Sequence, residues 1–182
     1  SRAERLLEDV RRLLEESLRN SERVLEEVRK LIEENLRHSR KVVDEVRRLL
    51  EEVLRVVERG DIRREDVKRA EKEVEDLNDE NRRHSDDVRK TVEKLDEDNK
   101  KLLKEVKERV EKLIKDLKDE VDREDVRRVL EAIKEDLKRV EDANREINRR
   151  SEELLREAEK RSRDIDKESR DLVRKVKKDL EK

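Results

Sequence analysis

Apolar residues recur along this chain at a helical spacing that repeats every eighteen residues. The stretches LLEESLRNS (13–21), LIEENLRHS (31–39) and LLEEVLRVV (49–57) are variants of one phrase. Eighteen residues make about five turns at 3.6 residues per turn, so the apolar stripe runs along one side of each helix. A strict seven-residue repeat would instead impose a left-handed supercoil. The pattern therefore predicts long, nearly straight helices with an 18-residue repeat.

Helix-ending and helix-starting signals divide the pattern into three parts. Gly60 is typical of a helix C-terminus, and Asp122 is typical of an N-cap before acidic residues. The predicted helices span about 3–58, 64–120 and 124–180. Short connections between long helices favour antiparallel neighbours. We therefore predict an all-α fold, an antiparallel three-helix bundle that forms one domain over 1–182.

Polar residues interrupt the apolar face of each predicted helix at corresponding heights. Antiparallel folding brings 96–99 level with 17–21 and 144–151, and 78–85 level with 35–39 and 162–169. The interruptions thus form two layers across the bundle. Layer one comprises Ser17, Asn20, Ser21, Asp96, Asn99, Asn144, Asn148 and Ser151. Layer two comprises Asn35, His38, Ser39, Asn78, Asn81, His84, Ser85, Ser162, Asp166 and Ser169.

The chemistry of these two layers favours hydrogen bonding between helices. A buried polar group without a partner costs roughly 1–3 kcal/mol, so polar groups should enter a core together. An apolar stripe alone allows one helix to slide along another by a turn. A polar layer opposes such a slip because its members would lose their partners. We predict that both layers are structural networks that fix helix register and pairing.

Composition narrows the class of protein further. Charged residues make up 59% of the 182 residues, yet 53 basic and 55 acidic residues leave a net charge of −2. This balance does not favour nucleic acid or an anionic membrane as a partner. Cysteine is absent, which excludes disulfides and thiolate ligands. No long apolar run suggests a membrane span or a targeting signal, so we expect a soluble protein.

The chain resembles de novo designed, parametrically generated helical bundles with buried hydrogen-bond networks. The resemblance lies in the 18-residue repeats, in the segments SLRNS, NLRHS, LNDEN, LDEDN, INRRS and IDKES, and in the Glu, Lys and Arg faces. It implies a recombinant structural scaffold without natural localisation or natural activity. It also implies no cofactor, no metal, no small-molecule substrate and no required partner.

Two kinds of chemistry in layer two compete with a structural role. Ser39 or Ser85 with His38 or His84 and Asp166 has the residue types of a hydrolytic triad. The histidines and Asp166 also have the types of metal ligands. Continuous helices use their own backbone N–H groups and offer no oxyanion hole, and the metal-binding sequence patterns are missing. We therefore predict no enzyme activity and no metal site.

Helix one raises an alternative, because its apolar face is wider than the roughly 100–140° that a closed bundle needs. A homo-oligomer built on helix one, or a partner helix, could cover the excess. The additional apolar residues are Leu6, Leu13, Leu18, Leu36, Leu54, Val56 and Val57.

The two histidines suggest sensitivity to pH. Burial of His38 and His84 would favour neutral imidazoles, so we expect stability to fall as acid protonates them. Pairing of either ring with Asp166 would reverse this sign. A His38→Asn, His84→Asn variant with unchanged acid stability would contradict the expectation.

Overall fold

The computed structural model describes residues 2–60, 64–117 and 124–180, which form three α-helices. Their bounds are α1 Arg2–Glu58, α2 Arg64–Leu117 and α3 Glu124–Leu180. The predicted all-α three-helix bundle is confirmed. The predicted end of helix two at 120 and the predicted cap Asp122 lie outside the described residues.

Gly60 follows the C-terminus of α1 and has the conformation that the sequence predicted. Its φ is +77°, in the left-handed region that glycine enters without the steric penalty of a Cβ. The N–H of Arg59 still bonds to the carbonyl of Arg55 at 3.3 Å, so the helical bonding pattern extends to the residue before the glycine. Gly60 therefore ends α1 by its backbone conformation.

The chain forms two compact units, each containing a part of all three helices. Unit one consists of 1–29 and 92–153, and unit two consists of 30–91 and 154–182. Each unit contains one of the two polar layers predicted from the sequence. That the whole chain is one domain stays a prediction.

The core of each unit is built from small aliphatic side chains at the repeating positions. Val10, Val28 and Val46 are each fully buried at intervals of eighteen residues. The core of unit one contains Ala3, Val10, Leu14, Val110, Leu117, Val126, Val129, Ile133 and Val140. The core of unit two contains Val42, Val46, Leu50, Val74 and Val176.

Two ion pairs between α2 and α3 show the direction in which these two helices run in unit two. In unit two, Arg89 contacts Glu159 at 3.0 Å and Lys177 contacts Glu71 at 3.1 Å. Residue numbers fall along α2 as they rise along α3, which is the order that antiparallel neighbours give. These pairs are partly exposed, and such pairs contribute about 0–1 kcal/mol each. The polar layers, which are more buried, are better placed to discriminate between registers.

Candidate functional site

Layer one lies in unit one, and most of its members are buried. Ser17, Ser21, Asn99, Asn144 and Ser151 are between 0% and 6% exposed. The other three members are partly buried; these are Asn20, Asp96 and Asn148. All eight side chains therefore face the helix contacts of this unit rather than open solvent.

The carboxamide of Asn99 joins the three helices of unit one. Its Oδ1 accepts a hydrogen bond from Asn20 Nδ2 at 3.1 Å, and Ser21 Oγ lies 3.2 Å from the same oxygen as an alternative donor. Its Nδ2 donates to Asn144 Oδ1 at 2.9 Å. Asn99 on α2 thus contacts both α1 and α3 and is the centre of layer one.

The hydroxyl of Ser21 adds a direct link between α1 and α3. Ser21 Oγ lies 2.7 Å from Asn144 Oδ1 and 3.1 Å from the carbonyl oxygen of Ser17. A serine hydroxyl has a single proton, so it donates to one of these oxygens at a time. The short distance favours Asn144, and the Ser17 carbonyl is an alternative acceptor within the same helix.

Asp96 is the one carboxylate in layer one, and Ser151 is its hydrogen-bond partner. Ser151 Oγ lies 3.3 Å from each of the two carboxylate oxygens. Desolvation by burial raises the pKa of Asp96 above its ordinary value, and the hydrogen bond from Ser151 and the charge of Lys100 oppose this shift. At neutral pH the charged form of this partly buried carboxylate is therefore less favourable than it would be in water.

Layer two lies in unit two and contains two groups of hydrogen bonds. Ser39 Oγ donates to Asn81 Oδ1 at 2.8 Å, joining α1 to α2. His84 Nδ1 lies 2.8 Å from Asn35 Oδ1. An amide oxygen can only accept, so this contact requires a proton on Nδ1 of His84. Both contacts therefore pair a side chain of α1 with one of α2.

Ser85 extends the second group of hydrogen bonds to α3. Its Oγ lies 3.4 Å from Asn35 Oδ1 and 3.2 Å from Ser162 Oγ. Layer two therefore also reaches all three helices, although through longer contacts than those around Asn99.

The two histidines of layer two contact each other. The rings of His38 and His84 are stacked with centroids 4.5 Å apart and an interplanar angle of 28°. Nε2 of His38 is buried and has no hydrogen-bond partner among the described residues. Sensitivity to pH through these rings stays a prediction.

Asp166 pairs with an arginine that the sequence analysis did not single out. Its Oδ2 accepts hydrogen bonds from Arg82 Nε at 3.0 Å and Nη2 at 2.6 Å, and Arg170 Nη2 lies 3.8 Å away. The hydrogen bond with Asp166 raises the pKa of Arg82. A carboxylate on an apolar face calls for a nearby cation, but this signal does not distinguish Arg82 from the other basic residues of the chain. Asp166 thus neutralises an arginine rather than a histidine.

Several predicted members of the layers have a buried polar atom without a hydrogen-bond partner among the described residues. Layer one has one such atom, Asn148 Oδ1. Layer two has five, which are His38 Nε2, Asn78 Oδ1, Asn81 Nδ2, Asp166 Oδ1 and Ser169 Oγ. The hydrogen bonds of layer two are therefore less complete within the described chain than those of layer one.

The contacts of layer two do not assemble a hydrolytic triad. The hydroxyl of Ser39 bonds to an amide, that of Ser85 contacts an amide and a second serine, and Asp166 bonds to Arg82. Across the described ranges, no three His, Cys, Asp or Glu side chains are grouped so that they could hold a metal ion. The geometry is that of a hydrogen-bonded core.

The wide apolar face of helix one is partly covered in the structure. Five of its additional residues are partly buried, namely Leu6, Leu13, Leu18, Leu36 and Leu54. Val56 is 36% exposed, and the side chain of Val57 lies outside what the structure describes. Leu102 on α2 is more exposed, at 45%. The described parts of the three helices contain no stretch that is long and apolar enough to span a membrane.

The raised pKa of Asp96 predicts a pH-dependent effect of Asp96→Asn. A carboxyl whose folded pKa is raised contributes most to stability below its unfolded value of about 3.8, and this contribution is lost as the pH rises through the folded pKa. The amide keeps an oxygen for Ser151 but has no charge to desolvate. We expect Asp96→Asn to raise the free energy of unfolding at pH 7, measured by denaturant titration, and the gain to shrink at pH 3.

A matched control for this prediction is Asp98→Asn, an exposed change of the same type on the same helix. It should lack the pH-dependent gain. An equal gain from Asp96→Asn at both pH values, or a loss at pH 7, would contradict the assigned cause.

The comparisons with known proteins agree on the fold. No protein-family model matches the chain, and no curated protein matches it in sequence. Among solved structures, it is similar to a computationally designed three-helix bundle with a TM-score of 0.63. The alignment covers 99% of this chain and 88% of that chain at 19% sequence identity. A similarity at this level of identity shows a shared three-helix bundle fold.

Proposed function

We propose that this protein is a designed structural scaffold without natural biochemical activity, in which the two polar layers fix helix register and pairing. The observation that carries the proposal is the Asn99 carboxamide, which bonds to side chains of both other helices. The 18-residue repeats and the similarity to a designed bundle support the designed origin. The contacts of the serines, histidines and Asp166 support a structural role for the polar residues.

The directionality of hydrogen bonds is the reason that these layers can select a register. Valine and leucine pack against any apolar neighbour of suitable size, whereas an amide needs a donor or acceptor at about 2.9 Å. Sliding α2 by one turn would move Asn99 away from Ser21 and Asn144 and leave buried polar atoms unpaired. Each such atom costs roughly 1–3 kcal/mol, so the slipped register is disfavoured.

The alternative of a self-associating module has weaker support. Val56 and Leu102 are the large apolar side chains that are exposed among the described residues, and they lie on different helices. Stable interfaces generally need a contiguous apolar patch, which two isolated residues do not supply. We therefore propose that the chain needs no partner and is a monomer.

Distances between α1 and α2 test the register role directly. We expect replacement of the buried polar side chains, serine by valine and asparagine by leucine, to keep or raise stability but to allow more than one register. The replaced residues are Ser17, Ser21, Asn35, Ser39, Asn78, Asn81, Asn99, Asn144, Ser151 and Ser169. The chain has no cysteine, so spin labels can be attached at Arg5→Cys and Lys94→Cys, both exposed and in unit one.

These labels lie far apart along the helix axis, so a slip of one turn changes their distance by about 5 Å. We expect double electron–electron resonance to give one narrow distance between the labels in the parent protein. In the variant we expect a second distance in addition to the first. A control that makes the same replacements in layer two alone keeps layer one and should give the parent distance. One narrow distance in the variant with all ten replacements would show that the buried members of the layers are not needed for register.

The mass in solution tests the absence of a partner. We expect light scattering on a gel-filtration column at micromolar concentration to give 22.2 kDa, the mass of one chain. A mass two or three times larger would instead support a homo-oligomer covering the apolar face of helix one.

A further inference from the structure

Three fully buried side chains of unit two have polar atoms that the described chain leaves without a partner. Asn81 and Ser169 are 0% exposed and Asn78 is 6% exposed. The unpaired atoms are Asn78 Oδ1, Asn81 Nδ2 and Ser169 Oγ. A buried polar atom without a hydrogen bond destabilises the folded state, so an additional bonding partner would be strongly favoured.

These atoms lie level with one another across α2 and α3. Ser85 contacts Ser162, which fixes the register of the two helices in this unit. Asn81 lies one turn before Ser85 on α2, and Asp166 lies one turn after Ser162 on α3, so these two residues are level. The Oδ1 of Asp166 is also buried and unpaired. A further turn brings Asn78 level with Ser169. The four residues therefore follow one another along the contact between α2 and α3, and together we call them the strip.

A cavity reaches one end of this strip, at Asn78. It has a volume of about 340 Å³, lies between α2 and α3, and is lined in part by Asn78, Arg82 and Arg170. A site for water must have room for at least about one water molecule and must offer two to four polar partners. The cavity has that room beside Asn78, while Asn81, Asp166 and Ser169 lie outside its lining. The strip as a whole offers four polar atoms.

The charges and hydrogen-bonding types in the strip select the ligand. Arg82 and Arg170 beside Asp166 disfavour a cation. The oxygens of Asn78 and Asp166 can only accept hydrogen bonds, which disfavours an anion. The remaining groups are the N–H donor of Asn81 and the hydroxyl of Ser169. Two acceptors, one donor and one hydroxyl match a small neutral molecule that both donates and accepts.

We propose that Asn78, Asn81, Asp166 and Ser169 form a hydration site that holds long-lived ordered water and completes layer two. Water accepts from Asn81 Nδ2 and Ser169 Oγ and donates to the oxygens of Asn78 and Asp166. This extends the proposed role of the polar layers. Its test detects bound water rather than register, so that either proposal can fail alone.

Layer one provides an internal control. Asp96 and Ser151 lie eighteen residues from Asn78 and Ser169, respectively, and occupy the corresponding places in unit one. There the serine bonds to the carboxylate directly at 3.3 Å, so no water is needed between them. A difference in hydration between the two places would therefore follow from the pairing of the side chains.

Water-selective NOE and ROE spectra of ¹⁵N-labelled protein test the site. We expect cross-peaks between water and the side-chain amide of Asn81, with the NOE sign of water that stays bound for longer than about a nanosecond. We expect no such cross-peak at the backbone amide of Ser151. Absence of the Asn81 cross-peak, or an equal one at Ser151, would overturn the proposal.

A single substitution separates bound water from exchange through the serine hydroxyl. Ser169→Ala removes the hydroxyl proton but leaves three polar partners for water. We expect the Asn81 cross-peak to persist in this variant. Its loss would show that the signal was relayed by the hydroxyl and would overturn the proposal. Asn78→Leu with Ser169→Ala should weaken the cross-peak at least severalfold, and an unchanged cross-peak would also overturn it.

Discussion

The need of one buried carboxamide for partners on both sides is the constraint on which the proposed register of unit one depends. Asn99 is 2% exposed, and its oxygen and nitrogen bond to side chains of α1 and α3. Aliphatic contacts supply most of the driving force for burial, at about 25 cal/mol per Å² of apolar surface, but they tolerate sliding. Hydrogen bonds add little net stability and penalise a wrong arrangement severely. In this account, the aliphatic contacts of the core supply its stability and the hydrogen bonds of the polar layer select its register.

The two layers meet the same constraint by different pairings. Layer one consists of hydrogen bonds between two amides and between a hydroxyl and an amide. Its single carboxylate accepts a hydrogen bond from Ser151. Layer two includes a stacked histidine pair and an arginine–aspartate pair at its partly exposed edge. Histidine and aspartate offer fewer ways to satisfy every atom within a narrow core than asparagine and serine do. His38 and Asp166 account for two of the five unpaired atoms of layer two, and Asn78, Asn81 and Ser169 carry the other three.

The helices and the places of the layers could be predicted because they follow from periodicity and backbone chemistry. The 18-residue spacing marked positions such as Val10 and Val28, and Gly60 marked the end of α1. The individual partners could not be predicted, because they depend on side-chain rotamers. With 53 basic residues in the chain, nothing local singled out Arg82 as the partner of Asp166. The exposure of a single apolar side chain could not be predicted either, since Leu102 lies beside the core stripe and is 45% exposed.

The measurement that tests the central claim most directly is the free energy of unfolding of Asn99→Leu beside the triple variant Ser21→Val, Asn99→Leu, Asn144→Leu. The single change leaves the amide of Asn20 and the oxygen of Asn144 without their Asn99 contacts, and we expect a loss of about 1–3 kcal/mol in guanidinium titrations. The triple variant removes Ser21 and the Asn144 amide as well, and it should regain most of that loss. If the three changes instead destabilise the protein additively, the residues act independently, and the account of layer one as a connected network is wrong.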